Sequence, residues 1–349
     1  MKVVQLGPYP PPHGGVQTNL VAIREFLLRR GIACPVINLT RFRSQTREDV
    51  YYPANALEVV SLLVRLRGDI IHIHLGGGLT PRLIGLCLAC SLVPGAKTVL
   101  TFHSGGYPSS AEGRTARRTS VRGLVFRRLD AIIAVNQEIA GLFRKFGVPS
   151  ERIHLILPHA PALLDRDVAL PELLAEFLRT HDPVLSTVGL LEPEYDLQLQ
   201  IEALGQVRTS HRSAGLAIIG AGSLEAELRR LIATQPWSEH IALCGDVPRA
   251  ATLRVIAESR LLLRTTRYDG DSVAVREALA LGTPVIAADN GMRPGGVCLI
   301  PAGDREALCQ AILQLLAEEK RPAVPQGEGG EQNIEAVYEI YRDLTGGRP

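Results

Sequence analysis

The strongest constraint in this 349-residue chain is an alternation. Short, continuously apolar runs recur between helical patterns, and the series runs twice. In the first half, the runs that predict strands are Val3–Leu6, Pro35–Leu39, Ile70–His74, Thr98–Phe102, Ala131–Val135 and Ile153–Leu157. Helical patterns separate them, among them Val16–Arg30 and Asn136–Phe146, the second stopped by Gly147 and Pro149. A strand that is apolar at every position is buried on both faces, and helices between such strands make the sheet parallel. Pro158, Pro161, Pro171 and Pro183 then break the series around one short helix, Glu172–Arg179. The alternation resumes with strands over Val184–Val188, Leu216–Ile219, Ile241–Cys244, Leu261–Arg264, Pro284–Ala287 and Val297–Ile300. Its helices cover Ser223–Thr234, Ala250–Glu258, Ser272–Leu281 and Asp304–Glu319. A Pro/Gly-rich stretch, Arg321–Gly330, leads to a last helix, Glu331–Leu344, with Ile334, Val337, Tyr338 and Tyr341 in one apolar stripe. The expectation is two doubly wound α/β domains, a linker and a tail helix. In such sheets ligands sit at the carboxyl ends of the strands, so two facing domains predict one cleft.

Composition and charge narrow the partners. An apolar fraction of 46% over this length supports two ordinary cores. A net charge of +2 argues against a nucleic-acid partner. That average hides a split: residues 1–180 carry 22 basic and 13 acidic side chains, and the remainder 16 and 23. The start, MKVVQLGPYP, lacks a charged-then-apolar signal pattern. The apolar run Leu83–Val93 falls short of the roughly 20 residues that span a bilayer. Cys87 and Cys90 form a lone C-x-x-C on one face of an apolar helix, which reads as buried thiols rather than a metal or redox pair. The chain reads as cytoplasmic.

Five segments carry candidate chemistry. Gly14-Gly15 close a strand-to-helix loop, where backbone N–H groups favour a phosphate or sugar oxygen, although a plain turn would look the same. His72 and His74 share one face of their strand, and with no third ligand nearby they read as packing or cleft-lining groups. His103 closes an apolar strand in TFHSGGY, where a ring at the cleft mouth would bind a hydroxyl or move a proton. Gly220-Ala221-Gly222 follows a strand but lacks the third glycine of a dinucleotide fingerprint, which argues against NAD. The fifth segment is Leu261–Gly291. Its strand ends at Arg264, its loop carries Asp269 and Asp271, and its helix starts near Ser272 and contains Glu277. Asp269 and Glu277 therefore reach one ligand lying across the helix start, with amides for a phosphate and carboxylates for sugar hydroxyls.

Taken together, Gly14-Gly15-Val16, the TFH ending in His103, Gly220-Ala221-Gly222 and the acid–seven residues–Glu segment running into EALALGTPVIA resemble a family 4 glycosyltransferase of the GT-B fold. The resemblance covers the whole chain, and its most specific part is the last segment. It implies two Rossmann-like domains facing a cleft, an acceptor domain over 1–163, a nucleotide-sugar domain over 164–326, and a tail, 327–349, packing back on the first. It implies sugar transfer from a UDP- or GDP-linked donor, with retention and without a metal or other cofactor. Glu277 matches the acid that binds ribose. Asp269 matches the acid on a donor-sugar hydroxyl, usually Glu, so its reach is one methylene shorter. His103 matches the cleft histidine, Gly14 and Gly15 the turn facing the diphosphate, and Asp271, Ser272 and Val273 the loop approaching sugar and phosphate. Gly189, Gly220 and Gly222 join the donor side, the base sits near Val247, and His13 and Tyr107 fall to the acceptor.

One departure stands out. The family starts its second domain with Gly-Arg-Leu and a Lys five residues beyond the Arg. This chain has VGLLEPEYDL instead, with Leu190 and Tyr195 at the two cationic positions. Arg264 is the expected replacement for the diphosphate clamp, then Arg293. A catalytically silent GT-B scaffold and a sugar-nucleotide epimerase are the alternatives. The basic run Arg114, Arg117, Arg118, Arg122, Arg127 and Arg128, read as one helix and its approach, is either a solvated face or a dock for anionic lipid. On the second reading, the partners are a nucleotide sugar, a glycan or lipid-linked acceptor, and the inner face of a membrane.

Overall fold

The computed structural model describes all residues except 12–13, 41–47, 158–163, 269–271, 292, 319–329 and 348–349. It divides into two compact units, residues 1–11, 15–159 and 329–349, and residues 160–328 with 12–14.

In the first unit the strands are β1 Val3–Gly7, β2 Val36–Asn38, β3 Val50–Tyr51, β4 Ile70–Leu75, β5 Lys97–Phe102, β6 Ala131–Ala134 and β7 Ile153–Leu155. Its helices are α1 Gly15–Arg29, α2 Ala56–Leu66, α3 Pro81–Ser91, α4 Ala111–Arg114, α5 Val121–Phe126 and α6 Gln137–Lys145. The strands form one sheet in the order β3-β2-β1-β4-β5-β6-β7, and every pairing is parallel. The order reverses between β1 and β4, the switch point at which such sheets bind ligands.

The two faces of this sheet differ. Val4, Leu6, Ile71, Ile73, Leu100 and Ile132 point into a large apolar core under α2, α3, α5 and α6, where Cys87 and Cys90 are also buried. Burial pushes the Cys87 thiol up to about 12, as befits an inert thiol. The alternate residues Val3, Ile70, Val99, Ala131 and Ile133 meet Ile23, Phe26 and Leu27 of α1. Helix α1 leaves room on that face, and a distant element fills it.

The second unit holds α7 Glu172–Thr180, β8 Val184–Val188, α8 Leu197–Val207, β9 Gly215–Ile219, α9 Glu225–Ala233, β10 Ile241–Gly245, α10 Arg249–Glu258, β11 Leu261–Arg264, α11 Val273–Ala280, β12 Val285–Ala288, β13 Val297–Ile300 and α12 Arg305–Ala317. Its sheet, β10-β9-β8-β11-β12-β13, is again parallel, with its switch point between β8 and β11. Helices cover both faces, as the continuously apolar strands require.

The last helix, α13 Gly330–Leu344, returns to the first unit. Ile334, Val337, Ile340 and Tyr341 enter the core shared by α1 and the sheet. The Tyr338 ring meets Phe26 edge-on at 5.9 Å, and Arg30 stacks over Phe26 while pairing with Glu335 at 3.0 Å. Tyr341 is fully buried, and its hydroxyl shares a 2.5 Å hydrogen bond with Nδ1 of His72 in β4. Sequence periodicity finds the stripe on α13 but not this polar anchor. Tyr341→Phe strands a buried imidazole nitrogen and should cost about 1–3 kcal/mol, read as a lower thermal midpoint. Removing residues 331–349 should uncover the whole face and cause aggregation in light scattering. A truncated chain as soluble as the full one would make the helix dispensable.

Candidate active site

In the second unit the candidate residues gather at the carboxyl ends of β8, β9 and β11. The loops there cross so closely that glycine is required. A Cβ on Gly220, whose φ is +142°, would lie 1.7 Å from the Gly189 carbonyl oxygen, and one on Gly222 would lie 2.5 Å from that of Leu191. Gly220 and Gly222 are thus needed for backbone crossing, whatever else they do. A Cβ on Gly189 would lie 2.2 Å from the Tyr195 ring and 2.8 Å from Nη1 of Arg264. The missing side chain at Gly189 is what makes room for both.

Arg264 ends β11 and is 5% exposed. Its Nη1 donates to the Val188 carbonyl at 2.8 Å, across the switch point, and its guanidinium lies 4.6 Å from the centre of the Tyr195 ring. Tyr195 is itself tied down: Thr265 Oγ1 donates to its carbonyl at 2.8 Å, and Gln200 Nε2 donates to Thr265 Oγ1 at 2.7 Å. Sequence order places Tyr195 and Arg264 far apart, and the fold stacks them. Arg293 donates to the carbonyls of Ala288 and Thr266 at 3.0 and 2.9 Å, stitching the loops after β12 and β11.

Ser272 caps α11, its Oγ accepting from Val275 N–H, and Val273 opens the helix. Glu277 lies further into α11 with its side chain 6% exposed. Nε and Nη2 of Arg249 both donate to its Oε1, at 3.0 and 2.8 Å. Burial raises the Glu277 pKa, and the Arg249 charge and hydrogen bonds oppose that rise. Arg249 escaped the sequence reading, although its place just after Val247-Pro248 puts it beside the expected base loop. Val247 is buried, and its carbonyl accepts from Thr252 Oγ1 at 3.2 Å.

In the first unit, a polar row replaces apolar residues on the sheet face under α1 and α13. His72 Nε2 shares a 2.7 Å hydrogen bond with Thr101 Oγ1, completing a link from Tyr341. His74 follows at a ring distance of 4.0 Å from His72, and His103 lies 5.9 Å beyond His74, nearly parallel to it. Both ring nitrogens of His74 and Nε2 of His103 are buried without a hydrogen-bond partner among the described residues. Desolvation pushes His72 down to about 3, His103 to about 4 and His74 well below the usual range, so the row is neutral at pH 7. The His103 ring thus stacks at the end of the row, half-buried where His72 and His74 are fully buried. Tyr107 is not beside it: it packs edge-on against Phe102, in the core on the other sheet face.

Gly14 precedes α1 and Gly15 opens it. His13, Asp269 and Asp271 lie outside the described residues. The basic run, expected as one helix and its approach, holds two short helices, α4 in the approach and α5, which Ser120 caps after a turn. Its arginines do not share one face: Arg122 donates to the Leu79 carbonyl, and Arg127 to those of Arg118 and Phe146. Arg117, Arg118 and Arg128 are exposed. Among the described residues, no three His, Cys, Asp or Glu groups are placed to hold a metal ion.

Two doubly wound parallel sheets, of seven and six strands, define a GT-B protein. The likeness to solved structures agrees: HepE of Anabaena, in complex with UDP-glucose, superposes with a TM-score of 0.70 over 99% of this chain and 98% of its own, at 16% identity. The Glycosyltransferase Family 4 model matches residues 13–158, and the model for Glycosyl transferases group 1 matches 182–318. The chain belongs to this glycosyltransferase family. The amylovoran biosynthesis glycosyltransferase AmsK of Erwinia amylovora is 29% identical over 181 residues, 47% of this chain and 44% of AmsK. The phosphatidyl-myo-inositol mannosyltransferase of Mycobacterium leprae is 25% identical over 344 residues, 90% of this chain and 87% of that protein. The chain spans about half the length of the first curated relatives it matches.

The neutral histidine row has a consequence in acid. Below about pH 6.5 the unfolded chain protonates these imidazoles while the folded chain does not. Stability is therefore fully present above that pH and falls as pH drops towards the folded-state values of about 4 for His103 and about 3 for His72. Urea midpoints should fall between about pH 7 and about pH 5, and His74→Gln should flatten the fall. An equal slope in that variant would remove His74 from the effect.

Proposed function

We propose that the protein is a retaining glycosyltransferase. It moves a sugar from a UDP- or GDP-linked donor to a hydroxyl acceptor in polysaccharide, glycolipid or other glycoconjugate synthesis, without a metal. The observation that carries this reading is the buried Glu277 carboxylate, one stretch of helix from the loop that holds the other acid. An ionised carboxylate only accepts hydrogen bonds, and it suits the paired hydroxyls of a ribose. On this reading, Asp269 holds a donor-sugar hydroxyl, while Gly14, Gly15, Asp271, Ser272 and Val273 approach the sugar and diphosphate. Val247 borders the base, His103 faces the reacting sugar and His13 serves the acceptor, whereas Tyr107, packed in the core on the other sheet face, does not. The leaving diphosphate assists the acceptor hydroxyl, so the protein's work is orientation and charge stabilisation.

The diphosphate needs positive charge, and Leu190 and Tyr195 supply none. Arg264 stands beside Gly189 and on the ring of Tyr195, the residue at one of the two positions where the family carries a cation. It is the first choice for the clamp and Arg293 the second. Release of nucleoside diphosphate from a donor panel, with and without an acceptor pool, tests the activity. Glu277→Gln should weaken nucleotide binding by roughly 1.5–3 kcal/mol. Arg264→Ala should lose the preference for diphosphate over nucleoside while keeping nucleoside affinity. A wild-type chain with no such preference would favour a catalytically silent scaffold.

A cytoplasmic place against the inner face of a membrane completes the reading. Among the described residues, no helix is long and apolar enough to cross one. Helices α3 and α5 instead expose Leu88, Val121 and Leu124, with Leu92 just past α3, beside the exposed Arg117, Arg118 and Arg128. Exposed aliphatic groups together with exposed arginines suit an anionic lipid surface, at about 1 kcal/mol per basic residue near it. Co-sedimentation should therefore be strong with phosphatidylglycerol vesicles and weak with phosphatidylcholine. Equal binding to both would argue for a solvated face.

A further inference from the structure

The Arg249–Glu277 pair joins the start of α10 to a buried carboxylate in the middle of α11, and nothing in the proposed reaction yet uses Arg249. Arg249 is the first residue of α10, and the chain reaches it straight from the Val247-Pro248 loop. Its side chain is 33% exposed, while that of Glu277 is 6% exposed. Both of its hydrogen bonds to the carboxylate fall on Oε1. The fork thus fixes one oxygen, and with it the plane of the group.

A carboxylate this deep drifts towards its neutral form unless a cation stays beside it. Among the described residues, the surrounding elements offer few other charges, Asp246 in the loop before Arg249 being one. Strand β12 (Val-Ile-Ala-Ala) has no titratable side chain, and β11 contributes only Arg264. Helix α10 also carries Arg254 and Glu258, which pair with each other at 2.7 Å. On α11 itself, Arg276 adjoins Glu277 in sequence. Protonation would turn one acceptor of Glu277 into a donor, so a diol offering two donors would lose a partner.

We propose that Arg249 is a positioning residue for nucleotide binding: it holds the Glu277 carboxylate ionised and oriented through Oε1, so that Oε2 is presented to the ribose diol. The proposal rests on the reading of Glu277 as the ribose acid. Arg249 acts through Glu277 and not on the reacting atoms. A lysine keeps the charge but lacks the fork, so it should restore ionisation better than orientation.

The test is calorimetric binding of UDP and GDP between about pH 5 and pH 9 to wild type, Arg249→Met, Arg249→Lys and Glu277→Gln. Arg249→Met should lose affinity most at low pH, with its acid limb displaced upward and affinity on that limb falling about tenfold per unit of displacement. Arg249→Lys should return the limb towards its wild-type position while leaving affinity reduced. A loss equal at every pH, or no loss, would overturn the proposal, since a merely structural residue moves affinity without moving the limb. If Arg249→Met does not fold, the limb of Arg249→Lys against that of Glu277→Gln decides. A limb near wild type in the first and none in the second supports the proposal, and the same profile in both overturns it. Wild-type affinity in Glu277→Gln is a separate outcome: it removes Glu277 from the nucleotide site, and the functional reading fails before Arg249 is in question.

Discussion

The second unit is organised by backbone crowding. The loops leaving β8 and β9 pass so close that a single methyl group at Gly220 would overlap a carbonyl. That contact fixes where both loops end, and so where Gly189, Tyr195 and Arg264 meet. Side chains alone could not hold a buried guanidinium in place. Here the chain does so with a carbonyl on one side, an aromatic face on the other, and a Gln200–Thr265 relay beneath the aromatic residue. Desolvating a guanidinium is expensive, and each of these contacts offsets part of that cost.

The two units treat buried polarity in opposite ways. The second keeps charge: Arg264 and Glu277 are both nearly inaccessible, the latter with a cation in contact. The first keeps polar groups neutral, with three imidazoles in a row where a helical cap excludes water. A neutral imidazole offers one donor and one acceptor, the pattern of a hydroxyl partner, whereas charged groups match phosphate and vicinal diols.

Most of the scaffold was legible because buried parallel strands are written as unbroken apolar runs. Val184–Val188, Leu261–Arg264 and Val297–Ile300 match the observed strands end to end. The two-residue β3 escaped, since an edge strand that short has no periodicity to read. Helix α8 was unread too, because it starts from Asp196 in a left-handed conformation, not from an ordinary cap. At the site, spacing located Glu277 and the strand end at Arg264. It could not locate Arg249, whose partner is 28 positions away, nor the stacking of Arg264 on Tyr195. Long-range pairings leave no local pattern. The basic run was legible only in part for a related reason: Arg122 and Arg127 bond to carbonyls once Ser120 starts a second helix, while Arg117, Arg118 and Arg128 stay exposed.

The path of α13 bears on how the molecule is made. Tyr341 and His72 are separated by 269 positions, and residues 160–328 of the second unit are encoded between them. A chain emerging from the ribosome therefore completes its second unit while the first still lacks a helix. In that interval Ile70, Val99 and Ile133 have no cover from Val337 and Tyr341, and the imidazole of His72 has no phenol. The unit begun first is the one finished last. Its late closure is a non-local step of the kind that slows folding and leaves sticky surface exposed meanwhile.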